Sequence, residues 1–275
     1  MVKNTFGCLF VIFLLLSQGG CSTIKGWFEH KPEPVEVVPE EDLYKKAKEK
    51  MESGNYTRAV EVLEALETRY PFGKYGPQVL IDLAYAHYKL GETESALATL
   101  DRFIKIYPNH KRLDYVYYLR GLVHTSEALG FVEKYFPLDL SKRDSTPLAQ
   151  AYQDFVTLLE KFPDSEYAKE AERRRFALFN LMAMHELQAA RYYYRRGAYI
   201  AAANRAQEIV RGYPRTRAIP FALRLMADSY RLLEMDELAK KTEEVYALNY
   251  GNRKFTLKNK PDNLLSWIFW LFRWD

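Results

Sequence analysis

The chain has 275 residues, of which 48% are hydrophobic, 28% charged and 15% aromatic. This composition is typical of a folded protein, and the length fits one large domain, two small ones or an elongated repeat protein. A net charge of +4 gives no strong argument for a nucleic-acid partner. The two cysteines, Cys8 and Cys21, lie at the N-terminus, which excludes disulfides and cysteine-based metal sites from the rest of the chain.

The N-terminus has the features of a secretory signal peptide, which we place at residues 1–20. Lys3 supplies a short positive region, and the apolar run from Phe6 to Leu16 is shorter than the about 20 residues that a membrane-spanning helix needs. Two glycines then precede Cys21, an ending that resembles a lipobox, the signal of bacterial lipoproteins. The resemblance implies that the thiol of Cys21 is acylated, with palmitate as a lipid, and becomes the new N-terminus.

One position departs from the lipobox, because Gln18 stands where that signal usually has leucine. An ordinary cleaved signal with an incidental cysteine is therefore the alternative. Ser22 follows the cysteine, and the absence of aspartate there favours the outer membrane over retention at the inner membrane. Residues 21–40 are then a lipid-anchored tether, since prolines among charged residues keep the chain extended at about 3 Å per residue, a reach of roughly 50 Å.

From residue 41 onward the sequence predicts amphipathic helices, because apolar residues recur at steps of three and four. Three segments share one internal spacing and so indicate a repeat. Their matching positions are Gly54, Tyr56, Ala59, Leu63, Leu66 and Pro71, then Gly91, Thr93, Ala96, Leu100, Phe103 and Pro108, then Gly197, Tyr199, Ala202, Ala206, Ile209 and Pro214. An alanine stands seven residues before each glycine, at Ala47, Ala84 and Ala190. A partial copy holds Gly121, Ala151, Phe155, Leu158 and Pro163, and a faint fifth holds Ala227, Tyr230, Ala239 and Gly251.

The repeat has a simple physical interpretation. Small residues are expected where the two helices of a pair cross closely, the glycine permits a left-handed turn between them, and the proline ends the pair. One pair alone leaves an apolar face uncovered, so the pairs must stack. The sequence therefore predicts an all-α, tetratricopeptide-type helical-repeat solenoid of about five helix pairs, with N-terminal repeats in residues 41–110 and C-terminal repeats in residues 111–250.

Two stretches depart from the regular repeat. Extra residues at 130–147 predict an insertion in the third repeat, where insertions often carry function. Its prominent members are Phe131, Tyr135, Phe136 and Pro137. A second stretch, about residues 166–196, predicts one helix that is too long for an ordinary repeat.

Residues 251–275 form a predicted C-terminal extension that ends in an aromatic tail, LLSWIFWLFRWD, from Leu264 to Asp275. The tail is too short to span a membrane. Three roles stay open for it: binding at the lipid interface, capping the last repeat, or docking onto a partner.

The sequence predicts no enzyme, no metal site and no cofactor. It has no phosphate-binding loop, dinucleotide fingerprint or serine-hydrolase elbow. His87 and His124 each follow a small crossing residue by three positions, where a packing role is expected. A repeat-fused hydrolase would need a catalytic domain, and the tether and repeats leave no stretch to hold one.

Basic and aromatic residues alternate where Arg191, Arg195 and Arg196 flank Tyr192 to Tyr194. RNA binding is one interpretation of such a pattern, although a secreted protein does not normally meet RNA. A protein interface is the second, because tyrosine and arginine are enriched there. A basic helix face without a partner is the third.

Six segments resemble one known family, the helical-repeat lipoproteins of the outer-membrane β-barrel assembly (BAM) complex. They are RYPFGKY (69–75), LDRFIKIYP (100–108), LDYVYYLRGL (113–122), RDSTPLAQAYQDF (143–155), FPDSEYAKEAERR (162–174) and RGAYIAAANRAQEIVRGYP (196–214). The segments occur in the family's order, and the resemblance as a whole covers about residues 41–249, plus the lipobox.

The resemblance implies a lipoprotein anchored through Cys21 to the periplasmic face of the outer membrane. Its C-terminal repeats would bind the barrel-forming assembly subunit. Arg205, in the motif Ala203-Asn204-Arg205, matches a family arginine tied to that contact, and we expect Asn204 and Arg196 to take part. On physical grounds alone, Arg205 would pair with a nearby carboxylate.

The resemblance also implies that the N-terminal repeats receive unfolded outer-membrane protein precursors or accessory assembly lipoproteins. The candidate peptide groove there holds Tyr70, Pro71, Phe72 and Tyr75. On physical grounds alone, Pro71 ends a helix and Phe72 fills a gap between repeats. The alternative function is that of a periplasmic repeat adaptor for envelope division or polysaccharide export.

Overall fold

A computed structural model describes residues 38–129 and 145–251 of the chain. Nearly all of the described residues belong to one compact unit, which begins at Leu43. Within the described ranges there are ten α-helices and no strand. The helices are α1 (Glu40–Glu52), α2 (Tyr56–Arg69), α3 (Gly76–Leu90), α4 (Thr93–Ile106), α5 (Leu113–Leu129), α6 (Thr146–Lys161), α7 (Ala168–Arg195), α8 (Tyr199–Gly212), α9 (Ile219–Leu232) and α10 (Asp236–Tyr250).

The helices form five consecutive pairs, from α1–α2 to α9–α10. From α2 onward each helix packs against the next one along the chain. In the first pair, Ala47 of α1 shares an apolar cluster with Leu63 and Leu66 of α2. Pairs joined by short turns and stacked on their neighbours are the arrangement of tetratricopeptide-type repeats, so the predicted all-α repeat fold is confirmed.

The small residues of the repeat lie where the helices cross. The alanines of the repeat signature are inaccessible to solvent, at Ala47, Ala59, Ala84, Ala96, Ala151, Ala190 and Ala202. A larger side chain at any of these positions would have to push two packed helices apart. The sequence therefore identified these crossing points correctly.

Left-handed residues close the turns within the pairs. Gly54, Gly91 and Gly197 have φ of 73°, 79° and 77°. At Gly91, the N–H of Glu92 donates to the carbonyl of His87 at 3.0 Å and the N–H of Gly91 to that of Tyr88 at 3.1 Å. Two such bonds define a Schellman motif, which satisfies the last carbonyls of the first helix.

The fifth pair builds the same turn without glycine. Glu234 takes the left-handed conformation with φ of 59°. The N–H of Met235 donates to the carbonyl of Tyr230 at 2.9 Å, and the N–H of Glu234 to that of Arg231 at 3.0 Å. Tertiary packing of α9 on α10 thus imposes a backbone conformation that glutamate alone disfavours.

Helix α7 is a single helix of 28 residues, as predicted. Helix α6 starts at Thr146, so Pro147, which the sequence assigned to the insertion, instead lies in the first turn of α6. The predicted signal peptide and Cys21, the insertion aromatics Phe131, Tyr135, Phe136 and Pro137, and the tail Leu264 to Asp275 lie outside the described residues.

Candidate partner-binding site

Arg205 projects from α8 beside two carboxylates. Its Nη1 atom lies 3.2 Å from Oε2 of Glu186 on α7 and 3.5 Å from Oε2 of Glu208, three residues further along α8. The Arg205 side chain is 44% exposed, and both contacts are long for a salt bridge. Pairing with a carboxylate was the physical alternative, and it is present. A guanidinium has five donors, and both of these contacts involve the single Nη1 atom.

A shallow, open depression lies at this position. It encloses about 340 Å³, and its lining consists of Tyr193, Ala201, Asn204, Arg205 and Glu208. The fold therefore places Asn204 and Arg205, the two residues that the Ala203-Asn204-Arg205 motif singles out, in one depression. Tyr193, from the tyrosine run for which a protein interface is one interpretation, also lines it, whereas Ala201 and Glu208 were not predicted.

Arg196 does not line the depression. It lies at the C-terminal end of α7, where its guanidinium sits 5.8 Å from the ring centroid of Tyr192. Tyr192 is half exposed, and so is Ile200, which lies one helical turn before Asn204. Exposed tyrosine, isoleucine and arginine side chains on α7 and α8, the two helices that line the depression, are compatible with a protein interface.

The second candidate region lies in the link between α2 and α3. Four links between pairs share one backbone turn, in which the carbonyl of an aromatic residue accepts the N–H of the residue three positions later. The N–H donors and their carbonyl acceptors are Gly73 and Tyr70, His110 and Tyr107, Ser165 and Phe162, and Thr216 and Tyr213. The third residue of each turn is exposed and is polar at Asn109, Asp164 and Arg215. In the first link it is Phe72, whose side chain is 98% exposed. Phe72 therefore does not fill a gap between the repeats.

The other aromatic residues of that link are structural. Tyr70 and Tyr75 are half-buried and pack against the apolar cluster of the first three helices. The ring of Tyr75 stacks on that of Tyr44 in α1, with centroids 4.3 Å apart and planes 13° apart. Of the four predicted groove residues, only Pro71 and Phe72 are exposed.

A row of tyrosines that was not predicted from the sequence joins α5 to the start of α7, within the C-terminal repeats. Tyr118 of α5 stacks on Tyr167 with centroids 5.0 Å apart, and Tyr115 lies 5.4 Å from the same ring. The guanidinium of Arg112 sits 5.1 Å from the centroid of Tyr115. Burial raises the pKa of the Tyr115 hydroxyl above its ordinary value, so this side chain stays neutral, and the stacked rings supply rigid aromatic surface.

The histidines behave as predicted packing residues. His87 is buried and its Nδ1 lies 2.6 Å from Oε2 of Glu92, while Nδ1 of His124 lies 2.7 Å from Oδ2 of Asp154. In the part of the chain that the structure describes, no group of three or more histidine, cysteine and acidic side chains is arranged to hold a metal ion. Among the same residues, no helix has both the length and the apolar character to cross a membrane.

Five stacked helix pairs with repeated turns define a tetratricopeptide-type repeat protein, a class whose stacked helices offer extended binding surfaces. A family described as “Outer membrane lipoprotein” matches residues 37–245 of the chain.

Relatives over nearly the full length carry one common name. The chain is 39% identical over 249 residues to the outer membrane protein assembly factor BamD of Vibrio cholerae, which covers 90% of this chain and 99% of that protein. The BamD protein of Neisseria gonorrhoeae is 38% identical, and the match covers 95% of this chain and 98% of that protein. The BamD protein of Xylella fastidiosa strain 9a5c is 37% identical, and the match covers 80% of this chain and 76% of that protein. The chain therefore belongs to the BamD family.

Proposed function

We propose that the chain is a non-catalytic scaffold lipoprotein that assists insertion of β-barrel proteins into the outer membrane. Family membership and the name that the relatives share support this role. The alternative of an adaptor for envelope division or polysaccharide export has no comparable support. The scaffold is anchored through an acylated Cys21 on the periplasmic face of the outer membrane. It acts by holding one partner on its C-terminal repeats and another on its N-terminal repeats.

The depression around Arg205 is the surface that binds the barrel-forming assembly subunit. The observation that carries this assignment is the loosely paired guanidinium of Arg205 beside Asn204. A partner carboxylate outcompetes Glu186 and Glu208 easily, because neither existing contact is shorter than 3.2 Å. Tyr193 and Ile200 supply the apolar contact area around that ion pair.

A direct binding measurement tests this assignment. The purified periplasmic part of the barrel-forming subunit from the same organism is titrated with the wild-type chain and with Arg205→Glu. We expect the charge reversal to weaken binding about tenfold or more, since it repels the partner's carboxylate.

Arg102→Glu is the matched control for that measurement. The Arg102 side chain is 43% exposed and also pairs with a carboxylate on a neighbouring helix, Glu67, at 2.7 Å. It lies in the N-terminal pairs, so binding of the barrel subunit should stay within twofold of wild type. Equal loss in both variants would mean that overall charge, rather than the depression, controls binding.

Phe72 marks the N-terminal surface that receives unfolded barrel precursors or accessory lipoproteins. A fully exposed phenylalanine gains by inserting into apolar groups of a partner. Fluorescence anisotropy with a labelled peptide from a barrel strand should show weaker binding to Phe72→Ala than to the control Ile106→Ala, an exposed apolar residue on α4. Unchanged affinity in Phe72→Ala would remove this residue from the site.

Acylation of Cys21 is tested in cells by incorporation of a palmitate analogue. Label is expected on the wild-type chain and absent from Cys21→Ala, which should also leave the membrane fraction. Label that persists in Cys21→Ala, or no label on either chain, would contradict the lipid anchor.

A further inference from the structure

The exposed side of α10, the last helix among the described residues, displays an apolar strip. Leu248 is 86% exposed, and Leu238 and Val245 are 45% and 43% exposed. Positions 238 and 245 are two helical turns apart and 248 follows one turn later, so the three share one side of the helix. Leu232 and Met235, at the turn before α10, extend the strip and are also exposed.

Such a strip is unusual at the end of a repeat series. The terminal repeat of a solenoid needs a polar outer face, because no further repeat covers it. Here the exposed side of the fifth pair carries three large apolar side chains among its charged residues, and an apolar segment that covered them would remove this surface from water.

We propose that the chain's own aromatic tail, Leu264 to Asp275, folds back onto this strip and caps the fifth helix pair. The tail supplies the matching chemistry, since nine of its twelve residues are leucine, isoleucine, phenylalanine or tryptophan. No other segment that follows α10 has this apolar density.

The connecting segment is long enough for this contact. Residues 252–263 join Gly251 to Leu264 and extend up to about 40 Å at 3.3 to 3.6 Å per residue. Helix α10 has 15 residues and is therefore about 22 Å long. The tail thus reaches every point along the strip without unwinding α10.

The charges of the two segments favour the same contact. Helix α10 carries four carboxylates and two lysines, a net charge of −2. Residues 252–263 carry four basic residues and one aspartate, a net charge of +3. Opposite charges draw the connecting segment along α10 rather than away from it.

Tryptophan fluorescence tests the contact directly. Trp267, Trp270 and Trp274 lie in the tail, and the fourth tryptophan of the chain is Trp27. In a Trp27→Phe chain that starts at Ser22, all tryptophan emission therefore comes from the tail. In lipid-free buffer we expect emission at shorter wavelength, and several-fold less quenching by iodide, than for the isolated tail peptide.

Leu248→Lys places a charge in the apolar contact between the strip and the tail. It should therefore move the emission wavelength and the iodide quenching towards the values of the free peptide. The control Ile106→Lys alters an exposed apolar residue on α4 and should change neither. Leu248 is almost fully exposed, so its replacement does not threaten folding.

Hydrogen exchange gives an independent readout. Ending the chain at residue 263 should make the amides of α10 exchange about tenfold faster, equivalent to about 1.4 kcal/mol, and leave those of α3 unchanged. Lipid binding would replace the proposal if three results held together. Tail emission in buffer would match that of the free peptide, it would shift only when vesicles are added, and Leu248→Lys would leave it unchanged. An emission shift that appears only as protein concentration rises would overturn it in favour of a second copy.

Discussion

Gly121 on α5 lies directly against the ring of Phe155 on α6. A Cβ atom at Gly121 would stand 2.7 Å from Cζ and 2.8 Å from Cε1 of that ring, inside any normal contact distance. Phe155 itself is completely buried. The third helix pair therefore crosses through a glycine where the other pairs use alanine, because its second helix places a phenylalanine at the crossing.

Gly121→Ala tests this relationship. Alanine in a helix is favoured over glycine by about 1 kcal/mol, whereas forcing a methyl group into a packed core costs about 1–3 kcal/mol. We expect the free-energy cost of the clash to exceed the gain in helix propensity. The free energy of unfolding measured in urea should therefore fall by about 1 kcal/mol or more. In a Phe155→Leu background the same change should become neutral or stabilising. A stabilising Gly121→Ala in the wild-type chain would contradict the close contact.

The left-handed turns predict two substitutions of opposite sign. Gly91→Ala should destabilise the chain by about 1 kcal/mol, because a side chain disfavours its φ of 79°. Nothing lies within 4 Å of a Cβ at Gly91, so the cost comes from the backbone alone. Glu234→Gly should stabilise the fifth pair by up to about 1 kcal/mol for the same reason. Thermal melts of both variants check the two signs, and a destabilising Glu234→Gly would contradict the account of this turn.

A buried ion network predicts unequal roles for two aspartates. Asp154 is almost fully buried, 2.6 Å from Nη2 of Arg120 and 2.7 Å from Nδ1 of His124. Burial lowers the pKa of Arg120, but Asp154 and Asp101 raise it by more, and the net pKa is above the ordinary value. Asp154→Asn should cost about 3 kcal/mol, since it leaves a partly buried cation underpaired.

Asp101 is the control for that substitution. It also contacts Arg120, at 2.7 Å, but its side chain is 63% exposed. Asp101→Asn should therefore cost less than about 1 kcal/mol in the same urea titration. Similar losses for the two aspartates would show that burial does not govern this network.

His110 predicts a pH dependence of stability. Its Nδ1 accepts the N–H of Arg112 at 3.2 Å, which requires that nitrogen to be unprotonated. Burial, then Lys111 and Arg112, lower the pKa of His110 in the folded chain. A group whose folded pKa is lowered adds stability above its unfolded pKa of about 6.5 and loses it as the pH falls through the folded pKa.

His110→Ser should remove this dependence while keeping the hydrogen bond. Ser165 occupies the matching position in another link, where its hydroxyl accepts the N–H of Tyr167 at 3.2 Å. Urea midpoints at pH 7.5 and pH 5 should therefore differ less in His110→Ser than in the wild-type chain. An equal or larger difference would assign the pH dependence to other groups.

Much of the fold follows from the sequence because small residues and turn formers recur at fixed spacing. Ala84 and Ala190 lie where close packing leaves no room for a larger side chain, and Gly197 has a left-handed φ that disfavours other residues. Glu234 could not be predicted, since its left-handed φ is imposed by packing that no local pattern records. The same holds for the stacking of Tyr118 on Tyr167, which joins two helix pairs.

The candidate site was predictable only in part. Asn204 and Arg205 are adjacent in sequence and both line the depression, so a motif finds them together. Glu186 lies on another helix, 19 residues earlier, and only the packing of α7 on α8 brings it to Arg205. Phe72 was recognisable as an aromatic residue, but its full exposure depends on a turn shared with three other links.

The most direct test of the proposed assembly role is the level of folded β-barrel proteins in the outer membrane after the chain is depleted from its own cells. Folded barrels are distinguished from unfolded ones by their altered electrophoretic mobility before heating. We expect depletion to lower the folded fraction, re-expression of the wild-type chain or Arg102→Glu to restore it, and Arg205→Glu to restore it poorly. Unchanged levels of folded barrel proteins after depletion would contradict the role in outer-membrane assembly.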